Sequence, residues 1–557
     1  MKEKLLNLWN RPSGQVGLLL VFCFTIFFIN LGQWDLWNPD EPRYAQVARE
    51  MVNGGDWILM HFNGQIYADK PPLFFWLIAF SSYLWQWFNS FAVRFFSAFF
   101  GTLTVLLTFL LWKKLFSSRT GLFSAFILAT SVEFVYLSTR ANIDATLTFF
   151  TTASIFCFLK WYEYHFPLSN EEKRSELEKT KAGRLWIYGF YTSMGLATLA
   201  KGPVGFLLPL LVCIAYLLFQ KEWKKLREMK LVPGLLLFFI IIGSWYIPAL
   251  IKGGREYFDA TLMHHTVERF AKGSSHIRPF YYYLYNFPVD FLPWVLFLPG
   301  AIVYGFSGVG FERRKPFLFL TIWFGVIFLF FSISKGKRGL YLLPLFPAVA
   351  LMVGKLLTDF ISSSINHFQK EWVIVPLYVF MGLFLIGGGI IPWLVSLKFH
   401  SYFSYSLPFA FLLAGGGIVM FILYRFRFYS AVFILLIGII AGSFFYTTRF
   451  VFPLINPYKS ARFISQEVTS RIQPGEKLAI YGDFVVAPYN YYTGIIPILE
   501  IEKRDEFIRF LQSGERVFCL LKFRDFTQLQ TMEDRPKVEL IARRNVGGDD
   551  MVLVSNR

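Results

Sequence analysis

Four cysteines in 557 residues, none of them in a CxxC, give neither a disulfide framework nor a zinc site to read. GxGxxG, GxxxxGK[ST], HExxH and GxSxG are all missing, which leaves nucleotide-binding, zinc-protease and hydrolase readings without support. What the chain has instead is apolar bulk. Hydrophobic residues make up 55%, with 67 Phe and 16 Trp, and the mean hydropathy is +0.46. Such a composition belongs to a polytopic membrane protein rather than to several soluble domains. The formal charge of +18 comes from Lys and Arg set in short clusters between apolar runs. The positive-inside rule and contact with anionic membrane lipids account for that pattern, so no nucleic-acid partner is expected.

Apolar runs at about 15–32, 91–113, 119–139, 144–162, 185–200, 202–220, 231–250, 291–309, 316–333, 340–358, 373–397, 405–425 and 429–447 predict thirteen spans. The first follows Lys2, Lys4 and Arg11 and has no small-residue cleavage site after it, so it reads as an uncleaved helix with its N-terminus inside. The run 73–88 is left out of the count. If it crossed, the basic loop KKLFSSR (113–119) would fall outside. If it lies along the surface, that loop falls inside together with KEWKKLREMK (221–230), ERRK (312–315) and RFR (425–427). Trp76, Trp85 and Trp87 also suit an interfacial helix. After about residue 448 the apolar runs stop. Short β-like segments (KLAIYG, RVFCLLKF, KVELIARR, DMVLVS) then alternate with helix-like ones. The expected architecture is a mainly α membrane domain over 1–447, with juxtamembrane helices in the outer loop 33–90, and a small soluble α/β domain over 448–557.

This topology gathers charged motifs on the outer side. WNPDEPRYAQVARE supplies Asp40, Glu41, Arg43 and Tyr44, and YADKPPL supplies Asp69 and Lys70. RANID carries Asp144, the junction near 201 carries Lys201, and the loop 251–290 carries His264, His265 and Arg269. The turn SISKGKRGLY adds Lys335, Lys337 and Tyr341 as a cationic turn outside, against the general charge trend. Carboxylates beside cations at a membrane fit group transfer from a phosphorylated lipid. A carboxylate takes the proton of the attacking nucleophile, and fixed cations stabilise the phosphate that leaves. Asp40 and Glu41 are the candidate carboxylates, and Arg43 and Lys70 the first phosphate holders. Lys201, Arg269, Lys335 and Lys337 come next, each equally readable as a lipid-headgroup anchor. Asp40 also suits a helix N-cap, as does Asp144. Adjacent histidines point to different helix faces, so a divalent metal held by a histidine and Asp69 is a weak signal.

DEPRYA, DKPPLFFWL, RANID and KGKRGLYLLPLFPAVA together resemble the integral-membrane glycosyltransferases of C-type fold, most closely the branch of the protein mannosyltransferases and the lipid A aminoarabinose transferase. The resemblance extends over essentially the whole chain. It implies Asp40 as general base and Arg43, Tyr44 and Lys70 around the carrier phosphate. Asp69 stands where the aminoarabinose branch has Glu, and Tyr341 matches a Tyr on a loop that closes over the phosphate. Asp144 and Lys201 match more loosely, and His265 corresponds to a position near a metal. The implied reaction moves a sugar, with inversion, from a polyprenyl-phosphate donor to an envelope acceptor. For this chain the reading is 4-amino-4-deoxy-L-arabinose passed from undecaprenyl phosphate to lipid A phosphate, at the periplasmic face of a bacterial inner membrane. The alternatives are a protein O-mannosyltransferase or another glycan or lipid glycosyltransferase, and after those a transporter of lipid-linked sugar.

Overall fold

The computed structural model describes residues 11–115, 117–165, 176–261, 276–307, 311–531 and 536–557. In chain order the first helices are α1 (Pro12–Cys23), α2 (Asp40–Gly54), α3 (Leu73–Leu84), α4 (Ser90–Leu115), α5 (Ser118–Ala129), α6 (Val132–Ser138), α7 (Ile143–His165) and α8 (Glu176–Lys201). A two-stranded ribbon, β1 (His61–Phe62) and β2 (Gln65–Ile66), lies between α2 and α3. Long helices continue the chain through Tyr429–Tyr446. Beyond them come β3 (Lys477–Tyr481), β4 (Leu499–Ile501), β5 (Val517–Lys522), β6 (Glu539–Val546) and β7 (Asp549–Ser555), interleaved with short helices.

Two compact units result. The first comprises 1–30, 68–74 and 96–446; the second comprises 31–67, 75–95 and 447–557. All of the outer loop except 68–74 therefore groups with the C-terminal α/β region, whereas the sequence grouped it with the membrane helices. A shared polar network explains the regrouping. Asn63 and Gly64 take positive φ in a tight Asn-Gly turn between β1 and β2. That turn aims Asn63 at the C-terminal region: its amide donates to the Ile498 carbonyl at 2.9 Å, and its oxygen accepts from Ile498 N at 2.8 Å and Asn490 Nδ2 at 2.9 Å. Glu50 of α2 accepts from the backbone N–H groups of Asn63 and Gly64 at 2.9 and 3.0 Å. Arg49 donates to the Asn490 carbonyl at 2.9 Å. Buried polar groups are satisfied only when these segments meet.

The sheet of the second unit has the order β4-β3-β5-β7-β6, parallel among β4, β3 and β5 and antiparallel around β7. Its central strands are buried on both faces, with Leu478, Ile480, Phe518, Leu520 and Leu553 in one core and Ala479, Cys519, Leu521, Val552 and Val554 in the other. Each of the four β-like segments expected from the sequence forms a strand; the three-residue β4 was not anticipated.

Eight helices among the described residues are long and apolar enough to cross a membrane, or ten if two bent pairs each count once. The thirteen spans expected from the sequence are not established. Apolar runs of about twenty residues are here divided by bends, as between α5 and α6, and Pro12–Phe28 and Val204–Phe219 are shorter apolar helices. α3, at twelve residues, is too short to span, in keeping with the surface assignment of 73–88. Wide apolar faces remain exposed, among them Val232, Leu236, Phe239, Ile240 and Ile251 of Leu231–Phe258. Lipid is the medium in which such faces are stable. The chain is a multi-pass membrane protein.

Helix ends follow local chemistry. α2 stops at Gly55, whose φ of 69° is a left-handed cap. The helix His367–Lys398 begins with a capping box: Asn366 Oδ1 accepts from Gln369 N at 2.8 Å, and Gln369 Oε1 accepts from Asn366 N at 3.1 Å.

Candidate functional site

The candidate residues are divided between the two units. In the second unit α2 begins at Asp40, with Pro39 at the cap position and no side-chain capping bond. Asp40 therefore sits inside the first turn, where the helix dipole favours a carboxylate. Arg43 Nη2 lies 3.5 Å from Asp40 Oδ1, a loose contact between partly exposed groups. Tyr44 is buried, its ring edge-on to Phe75 at 5.7 Å.

Glu41, offered beside Asp40 as a catalytic carboxylate, serves another purpose. Arg94 Nε and Nη2 donate to its two oxygens at 2.6 and 2.9 Å. The remaining Arg94 N–H groups donate to the carbonyls of Leu31, Trp34 and Asp35 at 3.0, 2.9 and 2.7 Å. Five bonds use all five guanidinium donors. The guanidinium also lies 4.4 Å from the Trp34 ring. Trp37 N donates to Glu41 as well, at 3.2 Å. With Arg94 at 0% and Glu41 at 2% exposure, this pair locks residues 31–37 and is closed to substrate. Arg94 is the structural partner at the site that sequence reasoning missed. A lone Arg in the apolar run SFAVRFFSAFF was its signal, since such a charge always has a partner to be sought.

In the first unit Asp69 and Lys70 pair with each other, Lys70 Nζ lying 3.2 Å from Asp69 Oδ1 and 3.1 Å from its carbonyl. Three residues taken from separate motifs come together here. Lys201, at the end of α8, donates to Asp144 Oδ1 near the start of α7. The same ammonium sits 4.4 Å from the centre of the Tyr341 ring. Asp144 is fixed from its own side: its N–H donates to Asn142 Oδ1 at 2.6 Å, and Asn142 N donates to Ser97 Oγ at 3.1 Å. The carboxylate neutralises Lys201 on one side while the ring face contributes a second, softer attraction. Lys201 keeps 13% of its side chain exposed, so this pair is buried without being sealed.

The cationic turn resolves into unlike members. Lys337 is buried and donates to the carbonyls of Arg278 and Ser334. Its N–H donates to the His276 carbonyl at 3.0 Å, and Ile277 forms a β-bridge with Gly336. Burial draws the Lys337 ammonium below its usual range. It thus organises the turn from within rather than reaching outward, contrary to the phosphate-binding expectation. Lys335 is exposed. His264, His265 and Arg269 lie outside the described residues. Among the described residues no group of three His, Cys, Asp or Glu side chains is arranged to hold a metal ion, and Asp69 is engaged by Lys70.

The model of the dolichyl-phosphate-mannose-protein mannosyltransferase family matches residues 15–264. The crystal structure of ArnT from Cupriavidus metallidurans bound to undecaprenyl phosphate superposes with a TM-score of 0.79 at 20% identity, covering 98% of this chain and 99% of that one. The chain shares the fold of that ArnT structure, and its residues 15–264 are similar to the protein mannosyltransferase family. An undecaprenyl phosphate-alpha-4-amino-4-deoxy-L-arabinose arabinosyl transferase of Pseudomonas aeruginosa is 34% identical over 352 residues, which is 62% of this chain and 60% of that protein. An uncharacterized protein of Aquifex aeolicus is 28% identical over 468 residues, or 83% of each chain. The matched region thus spans about three-fifths of the length of the named arabinosyl transferase. A more remote C-type likeness is the oligosaccharyltransferase AglB of Archaeoglobus fulgidus, with a TM-score of 0.54 and 12% identity.

Proposed function

We propose that this chain is an inverting glycosyltransferase that moves a sugar from a polyprenyl-phosphate donor to an envelope acceptor. The observation that carries this reading is the Asp144–Lys201–Tyr341 group, a cation fixed by a carboxylate and faced by an aromatic ring without being sealed off. A fixed cation suits a phosphate that gains charge as its bond to sugar breaks. Support for the lipid carrier comes from the fold shared with the ArnT structure bound to undecaprenyl phosphate.

The roles follow from each residue's own surroundings. An acceptor oxygen attacks the anomeric carbon from the face opposite the phosphate. The new C–O bond forms as the bond to the phosphate oxygen breaks, and the electron pair leaves with the polyprenyl phosphate. Asp40 takes the acceptor proton, because it is the first-turn carboxylate of α2 that Arg94 does not sequester. Arg43 holds Asp40 ready and offers a fork for anionic oxygens. Lys70 and Lys201 are the cations for the carrier phosphate, and Tyr341 covers Lys201. Asp69 and Asp144 orient those two lysines. Arg269, Lys335 and a metal at His265 stay as further assignments of the same reading.

The donor sugar we favour is 4-amino-4-deoxy-L-arabinose and the acceptor lipid A phosphate, in keeping with the arabinosyl transferase relatives. The charge pattern of the loops favours a bacterial inner membrane with the chemistry and the α/β region on the periplasmic side. The test is mass spectrometry of lipid A and of envelope glycoproteins from cells with and without this chain. An aminoarabinose mass increment on lipid A that depends on the chain is the expected result. A hexose increment on protein in its place would overturn the acceptor and favour the protein mannosyltransferase reading suggested by the family model.

A further inference from the structure

α7 contains hydroxyls that its neighbours' behaviour does not explain. Thr148, Thr151 and Thr152 follow Asp144 at positions four, seven and eight, the spacing of one helix face. All three are fully buried, and none of their Oγ1 atoms has a hydrogen-bond partner among the described residues. A helical threonine ordinarily satisfies itself by donating to the carbonyl four residues earlier. That is what happens on α4: Thr102 donates to Ala98 O at 2.9 Å, Thr104 to Phe100 O and Thr108 to Thr104 O, both at 2.8 Å. Thr130, Thr139, Thr198 and Thr358 do the same elsewhere in this unit. The α7 threonines turn away from that bond, in a helix long and apolar enough to lie in a membrane, where no bulk water can satisfy them.

Several other buried polar groups of the unit are self-contained by contrast, whereas the hydroxyls of Ser138, Thr146 and Thr321 also lack a partner among the described residues. Tyr304 and Lys355 both bond Asp359, and Tyr162, Glu222 and Lys225 close on one another. The 3-10 turn Gly339–Leu345, which contains Tyr341, packs on α7. The stripe is thus bounded above by Asp144 and beside it by the segment that carries Tyr341.

We infer that Thr148, Thr151 and Thr152 hold a column of internal water that runs along α7 to the Asp144 carboxylate. Water is the ligand whose size and paired donors and acceptors suit isolated hydroxyls one helical turn apart. Lys201 engages Asp144 Oδ1, and the column solvates the carboxylate from within the helix bundle. The three threonines are positioning residues, acting through Asp144. That consequence for chemistry rests on the role given to Asp144 above; the water column does not.

The test is hydroxyl-radical footprinting by X-ray pulse of the full chain in lipid nanodiscs, in ¹⁸O-labelled water, with labelled side chains read by mass spectrometry. Leu147 and Ile155 are fully buried, so only internal water can label them. The expected result is label at Leu147 or Ile155 in the wild type, lost in Thr148→Val/Thr151→Val/Thr152→Val and kept in the triple serine variant. Absence of label in the wild type, or equal label in the valine variant, overturns the proposal. Thr151→Val alone serves if the triple valine variant does not fold, with a reduced label expected. In the transfer assay the valine variant should lower kcat with donor KM held. A variant that loses label and turns over at the wild-type rate overturns the positioning role. Asp144→Asn separates the two ideas: retained transfer there removes Asp144 from the reaction and leaves the labelling result as it stands.

Discussion

Two carboxylate–cation pairs, one in each unit, show how similar groups are put to different use. Glu41 and Arg94 are sealed: five hydrogen bonds from one guanidinium, a tryptophan face, and almost no exposure. Lys201 meets Asp144 through Oδ1, and the lysine remains partly exposed beside Tyr341. A buried ion pair with every donor satisfied stabilises one conformation and binds nothing else. A partly exposed pair with a soft aromatic neighbour can give up some of its interaction to an incoming anion. The first arrangement is structural, and the second has the form of a binding group.

Asp40 and Glu41 repeat the contrast at adjacent positions, and the variants that break it come in order of size. Asp40→Asn should lower transfer about 10²–10⁴-fold, the usual contribution of a general base, with the thermal unfolding temperature in detergent unchanged. Glu41→Gln or Arg94→Met should act in the opposite way. Either leaves a buried charge without its partner and should cost about 3–5 kcal/mol of stability, read as a fall in unfolding temperature. The double variant should lose less than the sum of the singles. If Glu41→Gln were as stable as the wild type but inactive, the assignment of the two carboxylates would be reversed.

Lys337→Met probes the turn. Loss of an ammonium that donates to the Ser334 and Arg278 carbonyls should destabilise the 334–338 segment by about 1–3 kcal/mol, seen as faster amide exchange there. The smallest effect is expected at the ring. Tyr341→Leu removes the aromatic face and should weaken donor binding by about 0.5–1 kcal/mol, whereas Tyr341→Phe should match the wild type. Equal affinities for the Leu variant and the wild type would remove the ring from the donor's surroundings.

Much of the architecture was legible in the sequence for identifiable reasons. The charges flanking 73–88 marked it as non-spanning, and the structure gives a twelve-residue helix there. Alternating β-like segments after residue 448 became a sheet, since the central strands β3, β5 and β7 each carry an apolar run. The number of spans did not follow, because a run of about twenty apolar residues reads as one span even where a bend, as at Thr130 and Ser131 between α5 and α6, divides it. Nor did the regrouping of the outer loop: Asn63, Asn490 and Glu50 are unremarkable as letters and become a network only when folded. At the candidate site the motifs supplied Asp144, Lys201 and Tyr341, but a list of charges cannot tell an outward cation from one turned in upon carbonyls, as Lys337 is. It also cannot say which of Asp40 and Glu41 finds Arg94, since that depends on side-chain direction in a single helical turn.

The most direct test of the account is transfer by the purified full chain in nanodiscs, supplied with undecaprenyl-phosphate-linked aminoarabinose and lipid A, comparing the wild type with Asp40→Asn and reading product by mass spectrometry. The account predicts sugar-bearing lipid A from the wild type and next to none from a folded Asp40→Asn protein. Product at the wild-type rate from that variant would contradict it.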